Sequence, residues 1–266
     1  MNFHRVKTII QKEWDEVFKN RMVVFSIGFI PVVFTLLPLV VLYFLGTDST
    51  MSSDLSSADV PPQFLSMCTG MSGMECMQIF MMNQFMIMFM MMPLIIPTAI
   101  AAYSIVGEKT TRSLEPLLAT PITTTELLVG KALAASIPAI VVTWICFAVF
   151  VALVPLVGGT QALVRYITGP TWLLAVLIIG PLMAVAAVNL AVIVASRVND
   201  PRVAEQMASV LVVPVMAVLF GQIAGLIVLN QSFMLIAILV ILALDVALII
   251  AGTRLFQRET ILTRWK

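Results

Sequence analysis

Six long apolar runs constrain this chain more than any other feature. They lie near residues 22–45, 77–105, 127–155, 168–196, 206–229 and 231–253, and each is long enough to cross a hydrocarbon layer as a helix, which takes about 20 residues. Within a bilayer there is no water to satisfy backbone N–H and C=O groups, so a spanning helix must close its hydrogen bonds on itself. Composition agrees: 61% of residues are hydrophobic and 11% charged, against roughly 45–50% and 25% in soluble domains. The expected fold class is therefore all-α integral membrane, with six transmembrane helices in a single domain over residues 1–266.

The net charge of +1 hides a strong bias in where the cations fall. Arg5, Lys7, Lys12, Lys19 and Arg21 precede the first run; Lys109, Arg112 and Lys131 lie between or just inside the second and third; Arg197 and Arg202 separate the fourth and fifth; Arg254, Arg258, Arg264 and Lys266 follow the sixth. Only Arg165 falls on the other side. The positive-inside rule then places both termini in the cytoplasm of a multi-pass cell-membrane protein, and an even number of crossings requires them to share a side. The first run is too long for a secretory signal and is expected to be retained. Three cysteines are too few for a disulfide scaffold, although Cys68 and Cys76 share an external loop and could pair there.

Ahead of the first span, residues 1–21 read as an interfacial amphipathic helix. Val6, Ile9, Ile10, Trp14, Val17 and Phe18 recur at helical spacing, while Lys7, Lys12, Glu13, Asp15, Glu16 and Lys19 fall largely on other faces. Packing of that apolar face on its own protein is the alternative. Residues 46–76 form an acidic external loop rich in Ser, Pro and Gly. The second run holds Pro93 and Pro97 one turn apart, which predicts a kink. Thr123 and Glu126 have the spacing of a capping box at the start of the third span, with Ile122 and Leu127 as a hydrophobic staple.

The segment from Val106 to Lys131 is a polar island between two spans. It is expected to keep Glu108, Lys109, Arg112, Glu115 and Glu126 in water while carrying Leu114, Leu117, Leu118 and Ile122, an amphipathic pattern suited to docking. Glu108, the run SLEPLLATPIT from Ser113 to Thr123, and then Glu126, Leu127, Gly130 and Lys131 resemble the signature region of the ABC-type-2 permeases, particularly their sodium and drug export branch. The interfacial helix, the six spans and the external loop extend the likeness over nearly the whole chain. Arg112 departs from it, since members often have Gly there. The resemblance implies a cytoplasmic coupling segment over 106–126, with a short coupling helix that contacts a separate ATP-binding subunit. Glu108, Arg112, Leu114, Glu115, Leu117 and Leu118 are the candidate contacts. It also implies a second copy of the permease as partner, with ATP and Mg on the ATP-binding subunit. No cofactor is expected on this chain, and no nucleic acid as partner.

No P-loop occurs: Gly130 and Lys131 lack a Gly five residues earlier, and Ala132 follows where Ser or Thr is needed. No catalytic residue is assigned. The only histidine, His4, precedes the first span, and Asp245 is the one carboxylate deep in a run, whereas aspartyl chemistry needs two. Asp245 is a candidate transport or proton-coupling residue, and equally a buried carboxylate bonded to a neighbouring span, for which Asn189 is the nearest suggestion. Asn83, Gln84 and Gln222 place amides in apolar runs and are candidate pathway residues or interhelical bonds, since the family's second and fifth spans help line a path between two protomers. The methionines from Met67 to Met92 with Cys68 and Cys76 offer soft ligands suited to Cu(I). They equally make an adaptable apolar surface, and we assign no metal site. The function expected is the permease subunit of an ATP-driven exporter. The alternatives are a stand-alone carrier or channel using Asp245, or an intramembrane enzyme.

Overall fold

The computed structural model describes residues 3–19, 21–47, 70–110 and 123–255, and these form helices and connecting turns with no strand among them. A short helix α1 (Phe3–Val17) leads into α2 (Arg21–Thr47), α3 (Gly73–Thr110) and α4 (Thr124–Leu153). Next come α5 (Gln161–Ile167), α6 (Pro170–Leu174), a π-helical turn Ala175–Ile179, and α7 (Gly180–Ala195). The described residues finish with α8 (Pro201–Ala208), α9 (Val212–Ile223) and α10 (Gln231–Leu255). Among the described residues, six stretches are long and apolar enough to cross a membrane: Val23–Gly46, Gly73–Thr110, Thr125–Val157, Gln161–Ala195, Pro201–Ile223 and Gln231–Thr253.

Local chemistry explains where these boundaries differ from the apolar runs. The second span extends past its apolar part at both ends, starting beyond Ser72, whose N–H and hydroxyl bond the Glu75 carboxylate, and ending at Thr110. The fourth begins near residue 161, earlier than the run suggests, because Thr160 caps α5 by accepting from the Leu163 N–H; the chain then pauses at Gly169 and restarts at Pro170. In the fifth, Asp200 accepts from the N–H groups of Arg202 and Val203, a polar start that a hydropathy window misses. It ends before residue 229 because Gly225 turns the chain at φ 70°.

The second span is the axis of the bundle. Its apolar stretch is 78% buried, against 11% and 17% for the sixth and fifth, so α3 faces other helices while the outer surfaces of α9 and α10 are left uncovered by the described residues. Both Pro93 and Pro97 lie inside α3, which continues through them. Helix α7 packs along α3, and its side toward the core is made of small residues: Ala184, Ala187, Ala191 and Ala195 are fully buried. Small side chains let membrane helices approach closely where no water is available to drive them together. Phe89 of α3, Phe147 and Phe150 of α4 and Trp172 of α6 form an aromatic knot with ring centroids 5.1 to 5.9 Å apart. At the end of the bundle away from α1, Gln78 clasps the turn after α4: its amide donates to Gly158 O at 3.0 Å and accepts from the Thr160 N–H at 3.0 Å.

Candidate functional site

Helix α1 turns its apolar stripe onto its own protein. Val6, Ile9 and Val17 are buried, α1 packs on α4, and Trp14 Nε1 donates to Ala134 O at 2.9 Å. Gly130 allows this approach: a Cβ there would lie 2.8 Å from Ile9 Cγ2. The buried stripe also carries Glu13, only 2% exposed, which corrects the expectation that this residue lies on a solvated face.

Glu13 belongs to a closed ring of alternating charge. Lys131 of α4 sits 2.7 Å from Glu13 Oε1 and 2.8 Å from Glu108 Oε2, while Lys12 of α1 lies 2.5 Å from Glu108 Oε1 and 3.7 Å from Glu13 Oε1. Ser104 of α3 accepts from Lys131 Nζ at 2.8 Å and donates to Glu13 Oε2. Two ammonium groups thus balance two carboxylates across α1, α3 and α4. Burial alone would push the Glu13 carboxyl up, but the Lys131 ammonium and the hydrogen bonds from Lys131 and Ser104 outweigh it and hold Glu13 below its ordinary value. For Lys12, burial acts downward, and the Glu108 hydrogen bond with the charges of Glu108, Glu13 and Glu16 raises it overall.

Glu108 and Glu126, expected in water, are 5% and 3% exposed. The reason is that each carboxylate has a structural partner within the chain. Glu126 accepts from the Thr123 N–H at 3.1 Å while Thr123 Oγ1 accepts from the Glu126 N–H at 3.2 Å, the capping box expected, and Arg5 lies 3.7 Å from the same carboxylate. The residue after Glu108 points to a different neighbour: Lys109 Nζ donates to Ser196 O and Val198 O at 3.1 and 3.2 Å, satisfying carbonyls at the end of α7. Consecutive side chains on a helix diverge by about 100°, so α3 ends tied to α1 and α4 on one side and to α7 on the other. Arg112, Leu114, Glu115, Leu117, Leu118 and Ile122 lie outside the described residues, as does Cys68. Cys76 is disulfide-bonded and Cys146 is free.

The structure brings together two of the four candidate pathway residues. Gln222 Nε2 donates to the Asn83 backbone carbonyl at 3.4 Å, and both residues are buried. Gln84 is on a neighbouring face of α3, with its side-chain oxygen buried and unpartnered among the described residues. Asp245 is 5% exposed, and neither of its carboxylate oxygens has a hydrogen-bond partner among the described residues. Asn189 does not supply one; its amide donates to Val185 O at 2.9 Å. No group of three or more His, Cys, Asp or Glu side chains suited to a metal comes together among the described residues.

A family model described as ABC-2 family transporter protein matches residues 7–249. The chain belongs to the ABC-2 transporter family. No curated protein gave a significant match. Membership makes this chain a permease component of an ABC transporter, and the matched region takes in the whole ion ring, from Lys12 to Lys131. Sequence reasoning found Glu108, Gly130 and Lys131 as parts of the ABC-2 motif but missed their partners Lys12, Glu13 and Ser104. One signal was available: Glu13 falls four residues after Ile9 and four before Val17, in the middle of the apolar stripe, where a lone carboxylate needs a buried cation.

Proposed function

We propose that this ABC-2 permease is the membrane half of an ATP-driven exporter, working as two copies with a separate ATP-binding subunit and moving substrate out of the cytoplasm. ATP and Mg would reside on that partner. The positive-inside bias puts both termini, α1 and the segment between the second and third spans in the cytoplasm. The ion ring is the observation that carries the proposal. Helix α3 ends at Thr110, two residues after Glu108, and Thr123 opens α4, so the polar segment is held before it by Lys12 and Lys131 and after it by the capping box. A displacement applied between Glu108 and Thr120 would therefore move α1, α3 and α4 together. Glu108 acts here from inside the fold as a positioning residue, leaving Arg112, Leu114, Glu115, Leu117 and Leu118 as the contacts offered to the partner. Such a shift of packed helices between two arrangements belongs to the known repertoire of conformational switching.

The test is co-purification followed by coupling assays. The tagged permease should retain a stoichiometric ATPase, and Glu115→Ala or Leu118→Ala should uncouple transport from ATP hydrolysis while the chain still inserts. Normal coupling in both variants would refute the assignment. One observation favours a second reading, a carrier acting alone: Asp245 is buried with both oxygens unpartnered among the described residues, the arrangement of an intramembrane ion site. Ion flux through the purified chain in vesicles without ATP, abolished by Asp245→Asn, would support it.

A further inference from the structure

Helix α10 is the least covered of the six spans, with 11% of its apolar stretch buried, yet its one carboxylate falls on the covered side. Leu244 and Val246, on either side of Asp245, are exposed, while Asp245 itself is 5% exposed. The elements most extensively packed against α10 are α7, the π-helical turn and α6. Residues 170–195, which make them, hold no charged residue, and Thr171 and Asn189 supply their only side-chain oxygens. Asn189 turns its amide to Val185 O. Helix α9 has no charged residue either, and those of α3, namely Glu75, Glu108 and Lys109, lie near its ends, where they bond Ser72, the ion ring and the carbonyls that end α7. Within α10, Arg254 is the only other charged residue, nine positions on and about 14 Å along the axis. Neither Asp245 oxygen has a hydrogen-bond partner among the described residues.

A carboxylate enclosed in this way has lost its hydration and gained no counter-charge, and such a group takes up a proton instead. We propose that Asp245 is a proton site, held in the folded permease as a neutral carboxylic acid and closed to other cations. Metal ions need more oxygens than this one side chain supplies: Ca²⁺ takes about 6–8 and Mg²⁺ an octahedral set. Helix carbonyls are engaged in their own ladders. In the π-helical turn the Gly180 N–H goes to Ala175 O instead of Val176 O, and Trp144 Nε1 donates to the Val176 oxygen at 3.2 Å. Uptake moves one proton from water to one Asp245 oxygen, and release returns it to water. A movement that wets the seam between α7 and α10 would allow that exchange. The proposal narrows the ion-site reading of Asp245 to one ion and rests on that reading only for the place of the site, because occupancy requires neither ATP nor net transport.

The test uses the full-length chain at neutral pH in nanodiscs of ether-linked lipid, which has no ester carbonyl to overlap the signal. Carbon-13 at the aspartate carboxyl isolates the six aspartates in the infrared spectrum. The wild-type chain should show the C=O stretch of one protonated carboxyl. Asp245→Asn should abolish that band, whereas Asp200→Asn should remove only carboxylate intensity. Sodium, potassium or calcium salts should leave the band unchanged. Six ionised aspartates in the wild-type chain would overturn the proposal without any variant, so a misfolded Asp245→Asn chain leaves it falsifiable. Loss of carboxylate intensity in place of the C=O stretch in Asp245→Asn, or conversion of the band to carboxylate by any of the three salts, would overturn it too. Ion flux in vesicles without ATP separates the two readings: the band without proton flux supports the site and refutes the stand-alone carrier, while sodium or potassium flux abolished by Asp245→Asn overturns the proton assignment.

Discussion

Lys131→Met offers the strongest test of the ion ring. The lysine is 6% exposed and holds Glu13 at 2.7 Å and Glu108 at 2.8 Å. Its removal leaves two buried carboxylates sharing Lys12, which sits 2.5 Å from Glu108 but 3.7 Å from Glu13. Breaking a buried pair by deleting one partner costs about 3–5 kcal/mol, because the surviving charge stays out of water. We expect a loss of that size in the unfolding free energy of the purified permease. Adding Glu13→Gln should recover part of it, since the second change removes the stranded charge and the repulsion between the two carboxylates. Replacing both partners is commonly far milder than replacing one. Denaturant titration of the two single variants, the double variant and the wild-type chain closes a double-mutant cycle, with exposed Lys7→Met as the control. A Lys131→Met cost no larger than that of Lys7→Met, or strict additivity with Glu13→Gln, would refute the view that the ring is a coupled unit.

Acid and base should loosen the same joint by opposite routes. Glu13 is held below its ordinary value of 4.5, so its contribution is present above that pH and is lost as pH falls through its folded value; Lys12 is raised above 10.5, so its contribution is present below that pH and is lost as pH rises through its folded value. A stability profile against pH should show both losses, and Glu13→Gln should flatten the acid limb. Gly130→Ala should lift α1 from α4 at a cost of about 1–3 kcal/mol, since the added methyl meets a stiff β-branched side chain at 2.8 Å. Hydrogen exchange would report it as faster amide exchange in α1, with partial recovery when Ile9→Ala is added. Gln78→Leu removes both bonds of its clasp on the Gly158 to Thr160 turn and should cost about 1–3 kcal/mol. Its exchange signature should be confined to that turn and the start of α5.

Much of this permease is visible in its sequence because the membrane imposes one-dimensional rules. Hydropathy over about 20 residues reports a crossing without knowledge of neighbours, and all six runs correspond to helices long enough to span. The capping box at Thr123 and Glu126 was legible for the same reason, since its bonds close within three residues. The boundaries at residues 161 and 201 were not, because Thr160 and Asp200 start helices in polar sequence that a hydropathy window discounts.

The candidate site divides along the same line. The motif residues Glu108, Gly130 and Lys131 were evident in the chain, but polarity alone assigned Glu108 and Glu126 to water. Whether a carboxylate is solvated depends on which cation the fold brings to it, and Lys12 reaches Glu108 across 96 positions of sequence. Likewise the apolar spacing of Asn83, Ile87, Met90 and Leu94 is written locally. That Gln222 of a later helix, 139 positions away, donates to the Asn83 carbonyl was decided by packing. Local hydrogen bonding and hydropathy determined the helices and their number; long-range contact, which no periodicity encodes, determined which charges are buried and which helix faces meet.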